Sequence, residues 1–192
     1  MWQWISGVDN YFTNIVQSII NTNMTSIMKN LSLVGSYKGY VFICIFLLVL
    51  SFRYRKIAYE IYFVIFGLIT SALLNEGLKI CFNRARPDNI RLVNETGLSF
   101  PSGHAMNSMV FYMLIAIFVI NYVRVDSLKR HDFFKRIFLY LIIFVCILMP
   151  FFIGVSRIYL GVHYPSDVIG GYIFGVIWVA TLFALKRYKK AT

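Results

Sequence analysis

The chain has 192 residues, 59% of them hydrophobic and 18% aromatic, with 14% charged and a formal net charge of +11. A soluble domain of this length usually holds about 45–50% apolar residues, so the composition excludes an ordinary water-soluble globule. The length leaves no room for a second large domain beside a membrane domain.

Residues 1–33 contain Asp9 and many Asn and Thr, with no compact apolar stretch followed by a small-residue cleavage site. A cleavable signal peptide is therefore not expected. Val8, Phe12, Ile15, Ile19 and Ile20 recur at roughly helical spacing, which predicts an amphipathic helix lying on the membrane surface; a poorly hydrophobic extra span is the competing reading.

Five apolar runs follow, at 34–52, 57–80, 105–123, 137–155 and 168–185. Each approaches the ~20 residues a helix needs to cross a bilayer. Lys38 weakens the first run and can snorkel to an interface. Pro150 lies in the fourth and is tolerable where neighbours satisfy the freed carbonyl. The predicted fold is all-α, a polytopic membrane bundle of about five transmembrane helices plus the N-terminal amphipathic helix. It divides into an interfacial segment (1–33), a transmembrane domain (34–186) and a basic tail (187–192). Cys44 and Cys146 fall inside apolar runs and read as buried thiols; the three cysteines have no metal-like spacing.

Most of the 19 basic residues follow the first, third and fifth runs: Arg53, Arg55, Lys56, Arg124, Lys129, Arg130, Lys135, Arg136, Lys186, Arg187, Lys189 and Lys190. The positive-inside rule puts these on the cytoplasmic side, with the N-terminus outside and the C-terminus inside. The positive charge is then an orientation signal rather than a nucleic-acid footprint. Residues 81–104 and 156–167 both fall on the outer side.

Three polar strings lie on that side: Lys79-x6-Arg86-Pro87, Pro101-Ser102-Gly103-His104, and Ser156-Arg157-x5-His163-x3-Asp167. Together they supply what holds and attacks a phosphate group. Arg86 and Arg157 can each grip two oxygens, and Lys79 adds a point charge. Gly103 permits close backbone approach, Ser102 adds a hydroxyl, and free N–H groups at the start of the third span face an anion. Asp167, four residues after His163, can hold one ring nitrogen and leave the other to attack. His163 is the candidate nucleophile, giving a phosphohistidine, and His104 the general acid. One Asp with two His does not make a metal site.

Taken singly, each part has a plainer reading. Lys and Arg near membrane ends are usually anchors, Pro-Ser-Gly is a common helix start, and a lone His beside Tyr164 is usually a structural hydrogen-bonder. Asp167 alone would serve a helix dipole. Arg84, Asp88, Arg91, Asn94 and Glu95 read as loop solvation, and the Tyr and Trp residues as interface belts. Order, spacing and membrane side together favour the functional reading.

These strings resemble the signature of the type 2 phosphatidic acid phosphatase family, KxxxxxxRP, PSGH and SRxxxxxHxxxD, and match every fixed position in order. The resemblance spans roughly residues 33–185. Arg86-Pro87-Asp88, Phe100–His104 and Tyr159–His163 look most like the bacterial phosphatidylglycerophosphatases and undecaprenyl pyrophosphate phosphatases within it. It implies phosphate binding by Lys79, Arg86, Ser102, Gly103 and Arg157, and catalysis by His104, His163 and Asp167, without a metal or other cofactor. The implied substrate is a membrane lipid phosphate at the outer leaflet: phosphatidylglycerophosphate, or alternatively undecaprenyl pyrophosphate. A non-catalytic binder or transporter of anionic lipid would not require the two histidines and the aspartate. Soluble haloperoxidases share the strings, but five apolar runs argue against that role. Family members commonly have six spans where this chain has five, which leaves substrate entry and oligomeric state open.

Overall fold

The structure, a computed structural model, describes residues 2–88, 90–126 and 133–191. Among the described residues, seven α-helices follow in chain order: α1 (Gln3–Gln17), α2 (Thr22–Val34), α3 (Tyr37–Arg53), α4 (Ala58–Phe82), α5 (Gly103–Asp126), α6 (Phe133–Tyr159) and α7 (Pro165–Ala191). The fold is an all-helical membrane bundle. Windows within α4 to α7 are each long and apolar enough to cross a bilayer. The fifth span differs from the expected uniform run over 34–52: α2 and α3 meet the requirement only as a pair bent by 51°. α3 alone has 17 residues, about 26 Å at the α-helical rise, short of a ~30 Å hydrocarbon core. The break is written in cap chemistry. Ser36 caps α3, its Oγ accepting from the Gly39 N–H at 3.2 Å, and residues 35–36 interrupt the ladder.

The N-terminal segment is likewise two helices. Asn21 caps α2, its Oδ1 accepting from the Met24 N–H at 2.9 Å. α1 is amphipathic, with Trp4, Val8, Tyr11, Phe12 and Ile15 turned away from the protein. That is the face a helix in a lipid interface presents. Its other face carries Asp9 and Thr13, both buried.

α5 sits at the centre, packed on α4, α6 and α7. Ala105, Met106, Val110 and Leu114 are fully buried along it. Between helices in lipid, association rests on close packing rather than on a hydrophobic driving force. Gly171 and Gly175, one turn apart on α7, supply it: a Cβ at Gly175 would stand 2.9 Å from Met109 Cβ, and one at Gly171 would stand 2.8 Å from the Ser102 carbonyl. The outward side chains of α3, α4, α6 and α7, such as Phe42, Phe66, Phe144 and Ile173, are exposed and apolar, as lipid-facing residues are.

The helices run up and down, so the three polar strings share one end of the bundle. Arg53, Arg55, Lys56, Arg136, Lys186 and Arg187 lie at the other. There Lys186 Nζ rests 4.7 Å from the Tyr59 ring and 4.9 Å from that of Phe63, tying the end of α7 to the start of α4. Lys129 and Arg130 lie outside the described residues, as do the side chains of Arg124, Lys135, Lys189 and Lys190.

Candidate active site

Four helix ends build the site. α4 stops where Asn83 turns left-handed (φ 43°), and the chain from there to Gly103 folds over the bundle end. Ser99 N–H donates to the Arg84 carbonyl at 2.8 Å, and Leu92 N–H to the Leu160 carbonyl at 3.0 Å. The starts of α5 and α7 meet: Ser102 N–H donates to the Asp167 carbonyl at 3.0 Å. Two helix N-termini, each the positive end of its helix dipole, thus meet at one place.

α7 begins with Pro165 at its first position, which has no N–H to lose. Asp167, two residues on, reaches back to accept the Tyr164 N–H at 2.8 Å. This is the carboxylate half of a capping box. The same Oδ2 accepts a short hydrogen bond from Ser99 Oγ and stands 3.5 Å from His163 Nδ1.

The other ring nitrogen of His163, Nε2, lies 3.3 Å from Arg86 Nη1. A guanidinium has donors only, so Nε2 accepts and the ring proton sits on Nδ1, facing the carboxylate. Burial pushes the imidazole down to about 4, against the pull of Asp167 and together with the repulsion of Arg157 and Arg86. The ring is neutral, with the Nε2 lone pair turned to Arg86.

Arg86 is held from every side. It donates from Nη1 to the Val162 carbonyl at 3.0 Å, from Nε to that of Gly97 at 3.1 Å and from Nη2 to that of Thr96 at 3.1 Å. Burial lowers its proton affinity while Glu95 raises it. Arg157, in the last turn of α6, donates to Glu95 Oε1 at 2.7 Å and to Ser32 Oγ of α2. Glu95 Oε2 lies 3.9 Å from Arg86 Nη2. Burial raises the Glu95 carboxyl, but the two guanidinium groups outweigh it and hold it below its ordinary value.

His104 stands in the first turn of α5, within electrostatic reach of Arg157, His163, Arg86 and Lys79. Lys79 pairs with Glu76 at 2.9 Å. A Cβ on Gly103 would come within 2.9 Å of Asn75 Oδ1, so the glycine is what lets Asn75 close on the turn, with Lys79 Nζ beside it. Asn75 holds that turn by donating to the Pro101 carbonyl at 3.2 Å. Ser102 Oγ and Arg157 Nε are buried with no hydrogen-bond partner among the described residues. Such orphaned donors call for an acceptor.

Lys79, Arg86, Ser102, Gly103, His104, Arg157, His163 and Asp167 therefore gather at one end of the bundle. Two residues that read as loop solvation belong with them. Arg84 is buried, and Glu95 bridges the two arginines. Arg91 and exposed Asp88 pair with each other at 3.4 Å and keep the solvated reading. Asp9, Ser32 and Ser99 carried no motif. Asp9 did leave a trace: Ser6, Asp9, Thr13 and Gln17 form a polar stripe at helical spacing within an apolar helix.

A bundle of apolar helices with a cationic, histidine-bearing pocket built from three short strings defines the class. The PAP2 superfamily model matches residues 60–191, and the chain belongs to that family. Among curated proteins, it is 38% identical to the phosphatidylglycerophosphatase B of Bacillus subtilis over 114 residues, which cover 59% of this chain and 51% of that protein. It is 29% identical to the lipid A 1-phosphatase of Rhizobium johnstonii, over 64% of this chain and 46% of that one. It is 28% identical to the undecaprenyl-diphosphatase of Sulfolobus acidocaldarius, over 93% and 80%. The chain spans about half the length of the first two. The crystal structure of a transmembrane PAP2-type phosphatidylglycerolphosphate phosphatase from Bacillus subtilis superposes with a TM-score of 0.82 at 26% identity, covering 97% of this chain and 88% of that one. Aquifex aeolicus LpxE shares the fold, with a TM-score of 0.67 at 21% identity over 92% and 95%.

Proposed function

We propose that this protein is a metal-independent membrane lipid phosphatase that acts through a phosphohistidine, with phosphatidylglycerophosphate as its preferred substrate. The observation that carries the reading is the His163 ring: neutral, oriented by Asp167 at Nδ1, with the Nε2 lone pair facing the phosphate-binding Arg86. In this mechanism Nε2 attacks phosphorus while the lipid oxygen leaves, taking a proton from His104. His104 then takes a proton from water, whose oxygen attacks phosphorus; the P–Nε2 bond breaks, its electron pair returns to His163, and inorganic phosphate leaves. Lys79, Arg86 and Arg157 stabilise charge on the transferring group. Ser102 Oγ, the orphaned Arg157 Nε and the α5 N-terminus supply further donors.

Asp167 already accepts from Arg84, Ser99 and the Tyr164 N–H, which leaves it unsuited to ligate a cation. Residues 34–186 form the phosphatase domain, and 187–192 a cytoplasmic tail. The basic residues gathered at the opposite end support an active site on the outer face.

Undecaprenyl pyrophosphate is the second reading, favoured by the likeness to an undecaprenyl-diphosphatase along 93% of this chain. The test is phosphate release by purified protein, in EDTA, from phosphatidylglycerophosphate, phosphatidic acid and undecaprenyl pyrophosphate. His163→Ala is expected to lose at least ~10³-fold in kcat while remaining folded. Wild-type turnover by that variant, or none by the native chain on any substrate, rejects the proposal. A wild-type rate highest on the pyrophosphate selects the second reading.

A further inference from the structure

Beyond the three strings, a buried ion network joins the first helix of the chain to the last. Asp9 of α1 is 1% exposed and Arg84 is 4% exposed. Arg84 Nη2 meets Asp9 Oδ2 at 2.6 Å, and its Nη1 meets Asp167 Oδ1 at 2.5 Å. The guanidinium is stacked between two rings, its carbon 4.3 Å from the Trp2 centroid and 4.2 Å from that of Tyr164. Asp9 also receives the Ser166 N–H at 2.9 Å and its hydroxyl at 2.6 Å. A carboxylate from a distant helix thereby caps the first turn of α7, where Asp167 sits.

Asp167 has two tasks for its single charge. Its Oδ2 faces His163 Nδ1, and its Oδ1 is engaged by Arg84. A buried cation bonded only to Asp167 would draw that charge away from the histidine. Asp9, on the other fork of the same guanidinium, gives Arg84 a counter-charge of its own. Asp9, Arg84 and Asp167 then carry one net negative charge, the amount needed to stabilise the cationic ring formed when Nε2 bonds to phosphorus.

We propose that Asp9 is a positioning residue that neutralises Arg84 and so preserves the Asp167 charge for His163. Its effect on turnover rests on the phosphatase reading; its effect on the ring does not.

The experiment uses the full chain in detergent, with phosphatidic acid in mixed micelles and ¹⁵N-histidine NMR of His163. Asp9→Asn keeps the shape and removes the charge. It is expected to lower kcat about tenfold or more, the usual scale for removing a second partner behind a reacting group, with KM within about twofold since no substrate contact changes. The His163 Nδ1–H signal should shift toward a weaker hydrogen bond. Asp9→Asn/Arg84→Gln restores the one-negative balance and retains a donor to Asp167. It is expected to recover kcat and the Nδ1–H signal to near wild type.

A structural clamp alone predicts the reverse, since the double variant loses more contacts than the single one. A double variant less active than Asp9→Asn, or an Nδ1–H signal unmoved in both, overturns the proposal. If Asp9→Asn does not fold, the charge-balanced double variant decides by the same readouts. If wild-type protein releases no phosphate, the phosphatase reading fails, and the NMR comparison still tests the Asp9–His163 link.

Discussion

Arg86 Nη1 points at Nε2 of His163 from 3.3 Å. The cation that would bind the substrate's phosphate thus rests on the atom proposed to attack it. The contact fixes the ring tautomer through a donor-only partner, and a phosphate oxygen competing for Arg86 would bare the nucleophile as it binds. Several measurements test this arrangement.

The first concerns acid. An unperturbed imidazole titrates near ~6.5, while burial holds His163 down to about 4. In the unfolded chain the ring takes up a proton at a higher pH than in the folded one. Its contribution to stability is complete above about 6.5 and is lost as pH falls from there toward 4. His163→Gln has no such proton to gain. Between pH 7 and 4.5 it should lose less Tm than wild type in detergent; parallel curves would contradict the depressed titration.

Glu95 supplies the second test. Its carboxylate spans Arg157 at 2.7 Å and Arg86 at 3.9 Å, the position an anionic substrate needs. Glu95→Gln removes the competing charge. Inhibition by inorganic phosphate should tighten about three- to tenfold, the scale of one partly exposed ion pair. Unchanged or weaker inhibition would mean that Glu95 orients the arginines rather than competing for them.

Gly161 is the third. It sits at φ +74°, and a Cβ there would fall 1.9 Å from the Ile90 carbonyl oxygen. Gly161→Ala carries both left-handed strain and a backbone clash, together worth about 1–3 kcal/mol or more. Because the turn leads directly into Val162 and His163, Tm and kcat should fall together. A Tm within a degree of wild type would show that the loop yields freely.

The fourth addresses orientation. Cys81 is exposed in the last turn of α4, while Cys44 is part-buried and Cys146 buried. In intact cells, a membrane-impermeant maleimide should label this one native thiol if the site faces outward. Labelling only after permeabilisation would turn the protein over.

The membrane class and the eight residues proposed for the site could be read directly from the sequence, for different reasons. A span announces itself by the length of an apolar run, and Lys79 through Asp167 fall in strings whose internal spacing is local. The bent α2–α3 pair was legible only in part: Ser36 is a good cap, yet the apolar run passes straight over it. The partners of those eight residues were hidden by distance. Ser32 meets Arg157 across 125 positions, and Asp9 meets Ser166 across 157. No periodicity links such pairs. Arg84 and Glu95 sit in a polar loop where charges are ordinary; burial sets Arg84 apart from Asp88 and Arg91, and a bridge between two buried arginines sets Glu95 apart.

The cap that Asp9 places on α7 also sets an order of assembly. During synthesis, α1 emerges with a carboxylate whose only described cationic partner is Arg84, and whose backbone partner belongs to the final helix. The α1 carboxylate therefore gains its full set of partners only once α7 is in place. The pocket is thus closed by two helices far apart in sequence, and a chain in which α7 is not seated leaves the Asp9 carboxylate without its backbone partner.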